Sequence, residues 1–341
     1  MVHASLEFIT NCTLPVGVNN TSIVLIRKNQ HPETLADMRP IALCNVLYKI
    51  VSKMLANRIK IVLPSVISNA QSAFIPGRAI TDNIIISAEV MQFLKRKRQG
   101  KNESAALKID MSKAYDRIEW KFLQDVMLKM GFAEKWVEMI MLCVSTVRYN
   151  VIRNGKEVGL IITSKGLRQS DSVSPHLFIL CAEGLSSLIR KQENVGLIRG
   201  VKVARGAPMV SHLLFANDAF LFFRASQQEA RVVKSILASY ERASGQRVNF
   251  NKSSISFSPN MGAGVVNQIC AELDVPVTSD YGAYLGLPSC IGRRKKMVFQ
   301  SIRDKVWQKL QGWNMKMLSR AGKEILLKTV AQAMPNYAMN V

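Results

Sequence analysis

An α+β fold built around an antiparallel sheet is what the sequence predicts, and three observations predict it. An apolar run, Ala105–Ile109, stops on Asp110. Two further apolar runs, Val210–Phe215 and Ala219–Phe223, flank a polar turn at Asn217-Asp218, which is the pattern of a hairpin. Long stretches around them carry apolar residues at helical spacing, among them 45–63 and 227–244. A strand that runs apolar and ends on an acidic residue presents its carboxylate at a sheet edge. Two such ends side by side make a site for Mg²⁺.

The bulk numbers narrow the class. With 341 residues the chain is long enough for one large domain or a few lobes. A hydrophobic content of 48% supports a full core and argues against wholesale disorder. The net charge is +22, which favours a polyanionic partner, nucleic acid before membrane. Met1–Asn20 lacks a basic stretch followed by an unbroken apolar one, and no apolar run is long enough to span a bilayer. The expected setting is therefore intracellular, nuclear or cytoplasmic, without secretion or a membrane partner. The six cysteines are scattered without CxxC spacing, so neither a zinc site nor disulfides are expected.

Element by element, Ser22–Ile26 reads as a strand and Asn45–Leu63 as a helix with Pro64 just past its end. A helix over Asp82–Lys97 runs into a basic stretch, Lys95 to Arg98. That stretch reads as a localisation signal, a nucleic-acid contact or a solvated helix end. Strand Ala105–Asp110 is followed by a helix from Ser112 to Met130, stopped at Gly131, and by a helix over Ala133–Val144. Asn154-Gly155 between Tyr149–Ile152 and Val158–Thr163 predicts a second hairpin. Pro175–Lys191 reads as a buried helix and Gln227–Ser244 as a helix closed by Gly245, with short strands at Val248–Asn249 and Ser254–Ser258. The tail from Arg293 to Lys328 is helical and basic, opposed only by Asp304 and Glu324, and lies beside Trp307 and Trp313. That lopsided charge favours nucleic-acid contact over a merely solvated face.

The order of motifs then carries a resemblance. Leu107–Asp116 resembles the first palm motif of reverse transcriptases and Gly166–Pro175 their second. Phe215–Asp218 resembles their Phe/Tyr-Ala-Asp-Asp box. Gly245–Lys252 and Tyr284–Gly286 are similar to the later palm motif and the primer-grip turn. Arg39–Leu43 and Gln71–Arg78 resemble the fingers motifs, and Leu318–Glu324 the thumb-side segment of plant LINE-type, non-LTR retrotransposon enzymes. These motifs, in order from about Ile23 to the end, make the likeness specific. It implies a right-hand polymerase fold of fingers, palm and thumb with an antiparallel palm sheet. The expected divisions are 1–104 as fingers, 105–289 as palm with inserted fingers elements, and 290–341 as a partial thumb. The implied activity is RNA-directed DNA synthesis on an RNA template and DNA primer with dNTPs, using two Mg²⁺ ions, with Mn²⁺ as a substitute.

The same resemblance assigns roles. Asp110 and Asp218 become metal ligands; without it, Asp110 is as well read as a helix N-cap and Asp218 as a turn residue. Tyr115 becomes the steric gate beneath the sugar, or else a core aromatic. Arg39 would hold the triphosphate, or form a surface ion pair. Gln169 would contact the nucleotide or template, and Lys252 would protonate pyrophosphate. Arg78 would touch the template or brace the fingers. Tyr284, Gly286, Lys295 and Lys296 would contact nucleic acid.

Three positions depart from the family pattern. Asn217 stands where the box has its first Asp, and its amide carries no charge. Ser170 replaces a glycine that permits close approach and an unusual φ, and Ser172 replaces a stiffening proline. The stretch before Ile23 is too short for the N-terminal endonuclease of such proteins, and the chain stops at Val341 before any Cys/His-rich or RNase H segment. The expectation is a decayed polymerase copy with impaired catalysis. The alternative is a catalytically dead RNA- or DNA-binding protein that keeps the fold.

Overall fold

The computed structural model describes residues 2–100, 103–278, 283–285, 287–288, 295–314 and 318–335. In chain order the elements are α1 (Val2–Asn11), β1 (Asn20–Arg27), β2 (Met38–Cys44), α2 (Val46–Val66), α3 (Ile80–Arg96) and β3 (Ser104–Asp110). Next come α4 (Trp120–Lys129), α5 (Glu134–Ser145), β4 (Arg148–Arg153), β5 (Lys156–Ile162), α6 (Ser174–Asn194), β6 (His212–Phe215), β7 (Asp218–Arg224) and α7 (Gln227–Ser244). The chain continues through β8 (Ser254–Phe257), α8 (Ala263–Leu273), β9 (Ala283–Tyr284), β10 (Leu287–Pro288), α9 (Lys295–Asn314) and α10 (Arg320–Leu326). No helix among the described residues is long and apolar enough to cross a membrane.

Two four-stranded sheets organise these elements. The first, in order β2-β1-β4-β5, pairs β1 antiparallel with β2 and parallel with β4. Its β4–β5 hairpin turns on Asn154 and Gly155 at φ 51° and 76°, the left-handed pair that a type I′ turn demands. The second sheet, β6-β7-β3-β8, is antiparallel throughout. Strand side chains alternate between faces, and both faces of this sheet are packed over most of its length. Ala105, Leu107, Ile109, Leu221 and Phe223 belong to the main core with α4, α6 and α7. Ala106, Phe220 and Phe222 face the other way, against Val90, Met91 and Leu94 of α3 and Tyr284 of β9. Burying each of those phenylalanines contributes roughly 1.5–3 kcal/mol. That second cover stops short of the sheet end that carries Lys108 and Asp110, which stay half-buried.

Several expectations change. The helix expected from Ser112 begins only at Trp120. The residues before it form turns because their backbone groups are used elsewhere. Ser112 N–H donates to Arg247 O (2.8 Å) and Glu119 N–H to Ser244 O (2.9 Å), while Tyr115 O and Ile118 O accept from Leu167 and Gly166. Tertiary pairing outweighs the helical periodicity here. Pro64 sits inside α2, not past it. It lies in the last turn, and Ile67 N–H still closes onto Leu63 O (3.0 Å). Val248–Asn249 is no strand but an isolated bridge to Met111 followed by a 3₁₀ turn over Phe250–Lys252. Helices α1 and α8 and strand β2 were not anticipated. By contrast α7 matches its expected bounds, capped by the Ser226 hydroxyl and ended by Gly245 at φ 75°.

Gly245 combines a left-handed backbone with a close approach: an added Cβ would lie 2.5 Å from Arg117 O. Gly155 has the same φ requirement with nothing within 4 Å. Gly155→Ala should therefore cost about 1 kcal/mol, and Gly245→Ala about 2–4 kcal/mol once overpacking is added. Urea midpoints of the two variants compare them. Equal losses would mean that the Arg117 contact is unimportant.

Candidate active site

Strand register brings the two expected carboxylates together. In the β3–β7 ladder Asp110 lies directly opposite Asp218, so both project from one face at one end of the sheet. Residues so opposed have Cα atoms about 4.5–5.5 Å apart. The turn differs from expectation by one residue. Phe215 pairs with Asp218, so Ala216 and Asn217 form the loop and Asp218 is the first residue of β7. Asn217 is therefore adjacent to the pair, half-exposed at the hairpin tip.

The Asp110 backbone is fixed from both sides. Its N–H donates to Ser253 Oγ (3.2 Å), and its carbonyl accepts from Asn249 N–H (2.8 Å). Lys252 lies in the turn between those two partners, its side chain exposed. Burial pushes the Asp218 carboxyl above its ordinary pKa; Lys108 pulls it down and Asp110 pushes it up again. Two half-buried carboxylates thus repel each other across the ladder, a charge that a cation would balance. Oxygen donors at adjacent positions on an open sheet end fit Mg²⁺ or Mn²⁺, which one or two carboxylates plus substrate phosphate can hold. No cluster of three His, Cys, Asp or Glu residues occurs among the described residues.

The hairpin tip is held by residues that sequence reading left without a role. Gln71, fully buried, uses one oxygen twice: Oε1 accepts from Ala216 N–H (3.2 Å) and from Ala73 N–H (2.9 Å). Its Nε2 is buried with no hydrogen-bond partner among the described residues. Asn83 Nδ2 donates to Leu214 O (2.8 Å) and Ser72 Oγ to Asn83 Oδ1 (2.7 Å). Leu214 N–H donates to Ala70 O (2.7 Å) and Ser72 N–H to Leu214 O (3.2 Å). This clamp supports Ala216 at φ 52°, an uncommon value for a residue with a Cβ. The one signal in the sequence was a glutamine inside an otherwise small and apolar run.

The loop 166–173 packs on the turns that follow β3, with Gly166 N–H on Ile118 O (2.8 Å) and Leu167 N–H on Tyr115 O (2.9 Å). Gly166 at φ 92° is required, since a Cβ would meet Asp116 O at 2.8 Å. Gln169 Nε2 donates to Asp116 Oδ1 (3.2 Å), and Gln169 O accepts from Ala42 N–H (3.3 Å), tying the loop to β2. A cavity of about 190 Å³ is lined by Pro40, Asp116, Tyr149 and Gln169. Tyr115 stacks on Phe178 with ring centroids 4.7 Å apart, and burial raises its phenol to about 12. It sits in the turns before α4, not on a helix. Arg39 is exposed on β2, outside that cavity lining. Ser170 adopts φ 74°, the strained value foreseen for a glycine position. Below it, buried Asp171 accepts from Tyr48 Oη (2.9 Å) and from Ser52 Oγ. Arg168 donates to Cys143 O (2.7 Å) and lies 3.7 Å from the Tyr48 ring.

Of the remaining expected contacts, Arg78 and Tyr284 lie within the described residues. Arg78 donates to the carbonyls of Ile67 (2.9 Å), Ser68 (2.5 Å) and Gln71 (2.6 Å), contacts of the kind its bracing alternative calls for. Tyr284 is 1% exposed and its ring packs on Phe220 in the cluster under α3. Gly286 lies outside the described residues, as do the side chains of Lys295 and Lys296 at the start of α9.

Comparison with known proteins fits this geometry. A family model described as reverse transcriptase (RNA-dependent DNA polymerase) matches residues 26–289. The chain is 28% identical over 243 residues to an uncharacterised 149 kDa protein of transposon TX1 from Xenopus laevis, covering 71% of this chain and 18% of that protein. It is 49% identical over 67 residues to an uncharacterised mitochondrial protein of Arabidopsis thaliana, covering 20% of this chain and 55% of that one. It is 26% identical over 200 residues to a retrovirus-related Pol polyprotein from the type-1 retrotransposable element R2 of Nasonia vitripennis, covering 58% and 18%. The chain thus spans less than a fifth of the TX1 protein and of the Nasonia vitripennis R2 protein. Among solved structures, Candida tropicalis telomerase in complex with a fragment of telomeric RNA aligns with TM-score 0.52 and 14% identity, covering 94% of this chain and 54% of that one. An apo, C-terminally truncated form aligns with TM-score 0.51, covering 76% and 55%. At such identity the likeness is one of fold, the α+β right-hand polymerase fold with an antiparallel palm sheet.

Two substitutions probe the supports. Gln71→Leu leaves two backbone N–H groups without their acceptor and should cost about 2–3 kcal/mol, read as a lower thermal midpoint. Ser170→Gly relieves the left-handed φ and should stabilise by about 0.5–1 kcal/mol. A Ser170→Gly variant less stable than wild type would contradict the strain.

Proposed function

The chain belongs to the reverse transcriptase family, and we propose that it is the polymerase part of a non-LTR retrotransposon protein with impaired nucleotidyl transfer. The observation that carries this reading is the Asp110–Asp218 register, with Asn217 at the tip of the same hairpin. The TX1 and R2 relatives support the non-LTR assignment. Residues 1–104 act as fingers, 105–289 as palm with the β4–β5 hairpin lent to the fingers, and 290–341 as part of a thumb. Pairing of β4 with β1 supports that lending.

In this reading Asp110 and Asp218 hold Mg²⁺, with Mn²⁺ as a substitute. When bound, the metal supplies positive charge that acidifies the primer 3′-hydroxyl and offsets charge on the pyrophosphate. The chain's own residues do the rest. Gln71 and Asn83 fix the hairpin tip, and Ser253 fixes Asp110, so the carboxylates are preorganised before substrate arrives. Tyr115, braced flat on Phe178, bounds the sugar from below and disfavours a 2′-hydroxyl. Gln169, oriented by Asp116, reads the nucleotide or template. Lys252 donates a proton to pyrophosphate, and Arg39 approaches the triphosphate from β2. An RNA template, a DNA primer and dNTPs are the substrates, in an intracellular setting.

Asn217 weakens this centre because an amide cannot share the cationic load that a third carboxylate would. Removing one such electrostatic stabiliser commonly costs about 10²–10³ in rate. A second reading, a nucleic-acid-binding protein without chemistry, draws on the net charge of +22. Primer extension on an RNA template separates the two. Asn217→Asp should extend the primer at least about 100-fold faster than wild type. Equal extension by both would remove Asn217 as the cause of impairment. Extension by neither, with binding kept, would favour the second reading.

A further inference from the structure

At the far end of the catalytic sheet the cross-strand pair is Ser104 and Arg224. Strand β3 separates it from Asp110 by roughly 20 Å, at ~3.3 Å per residue. A cavity of about 470 Å³ opens there, lined by Phe93, Lys97, Glu103, Arg199, Lys202 and Arg224, together with the short stretch around Gly200. We propose that this cavity binds the phosphodiester backbone of a nucleic-acid strand, at a site distinct from the catalytic pair. The inference rests on the chain being a nucleic-acid-binding protein, and not on its catalysis.

Four cations converge on the cavity against one carboxylate, Glu103. They arrive from separate stretches of chain, so no single solvated helix face accounts for them. Their backbones are also fixed in place. Buried Glu229 accepts on one oxygen from Arg199 N–H (3.1 Å) and Arg224 N–H (3.0 Å), and so holds the two arginine positions side by side. Val201 and Val210 exchange two backbone hydrogen bonds, of 2.9 and 3.0 Å. Gly200 packs so closely that a Cβ would lie 2.6 Å from Val210 O. The loop bearing Arg199 and Lys202 is therefore built, and little order is lost when a ligand docks.

The chemistry suits a phosphate. Guanidinium groups match phosphate oxygens in a two-pronged way, while an ammonium acts as a point charge. Lys97 Nζ donates to Ser104 Oγ (3.1 Å) and lies 5.2 Å from the Phe93 ring. Burial, and then the charge of Arg224, hold the Lys97 pKa below its ordinary value. An anion in the cavity would relieve that repulsion. The volume lies in the range of small-ligand pockets, roughly 300–1,000 Å³, enough for a phosphate and its sugar. The basic stretch Lys95, Arg96 and Arg98 runs on from Lys97 and offers a track along which the strand would continue.

The test is fluorescence anisotropy with labelled single-stranded RNA and DNA oligonucleotides of one sequence, across a salt series. Arg199→Ala/Lys202→Ala removes two exposed cavity cations and leaves the backbone contacts to Glu229 in place. Lys121→Ala/Lys129→Ala removes two exposed lysines of α4 as a control of equal charge. The cavity variant should bind about tenfold more weakly and show a salt slope smaller by roughly 1–2, while the control stays within about twofold. Lys202→Glu alone should weaken binding in the same direction, with an unchanged thermal midpoint. A larger loss on RNA or on DNA would name the strand, and equal losses would mean that phosphate alone is read; each supports the site. A cavity variant that binds like wild type, or a control that loses as much, would overturn it. Failure of wild type to bind either strand would overturn it together with the nucleic-acid partner. Binding without primer extension would leave it standing while the catalytic reading fails.

Discussion

The structure depends on one register. Because Asp110 faces Asp218 across the β3–β7 ladder, carboxylates more than a hundred residues apart in sequence share one face at one sheet end. A slip of one residue would send one of them to the opposite face. The apolar alternation below the pair prevents it. Leu107, Ile109, Leu221 and Phe223 must reach the main core, while Ala106, Phe220 and Phe222 must reach the cluster under α3. Hydrophobic burial on two faces therefore fixes the geometry of a polar site that contributes no burial of its own.

What the register sets, the surrounding backbone refines. Ala216 and Ser170 both hold φ values that favour glycine, and both lie within a few residues of the expected chemistry. Each is stabilised by partners distant in sequence: Gln71 for the hairpin tip, and the Ala42 bond to Gln169 for the neighbouring loop. Strain of this kind persists only where the surroundings over-determine the conformation. Asn217 sits at the tip of this supported hairpin with an uncharged amide. In the proposed reading the scaffold of the site is kept while the anion expected at that position is missing.

Much of this was legible in the sequence, and the gaps have physical reasons. Strand β3, the Asn154-Gly155 hairpin and helix α7 closed by Gly245 follow from local periodicity and turn chemistry, and they form as expected. The pair Asp110 and Asp218 was legible because Asp110 ends one apolar run and Asp218 lies in the polar turn before another. The turns over 111–119 were not, because 166–167 and 244–248 claim their backbone groups from afar. Gln71 had a motif but no role, since nothing local reveals that its oxygen will reach Ala216. Arg78 and Tyr284 drew their expected contacts from the resemblance of their motifs, and nothing local announces the three carbonyls that Arg78 binds or the burial of Tyr284 against Phe220.

The central claim is that Asp110 and Asp218 form one cation site limited by the missing charge at Asn217. Mn²⁺ titration followed by electron paramagnetic resonance tests it without requiring turnover. The account predicts weak binding in wild type, its loss in both Asp110→Asn and Asp218→Asn, and tighter binding in Asn217→Asp. Binding that survives either Asp substitution, or that is unchanged by Asn217→Asp, would contradict it.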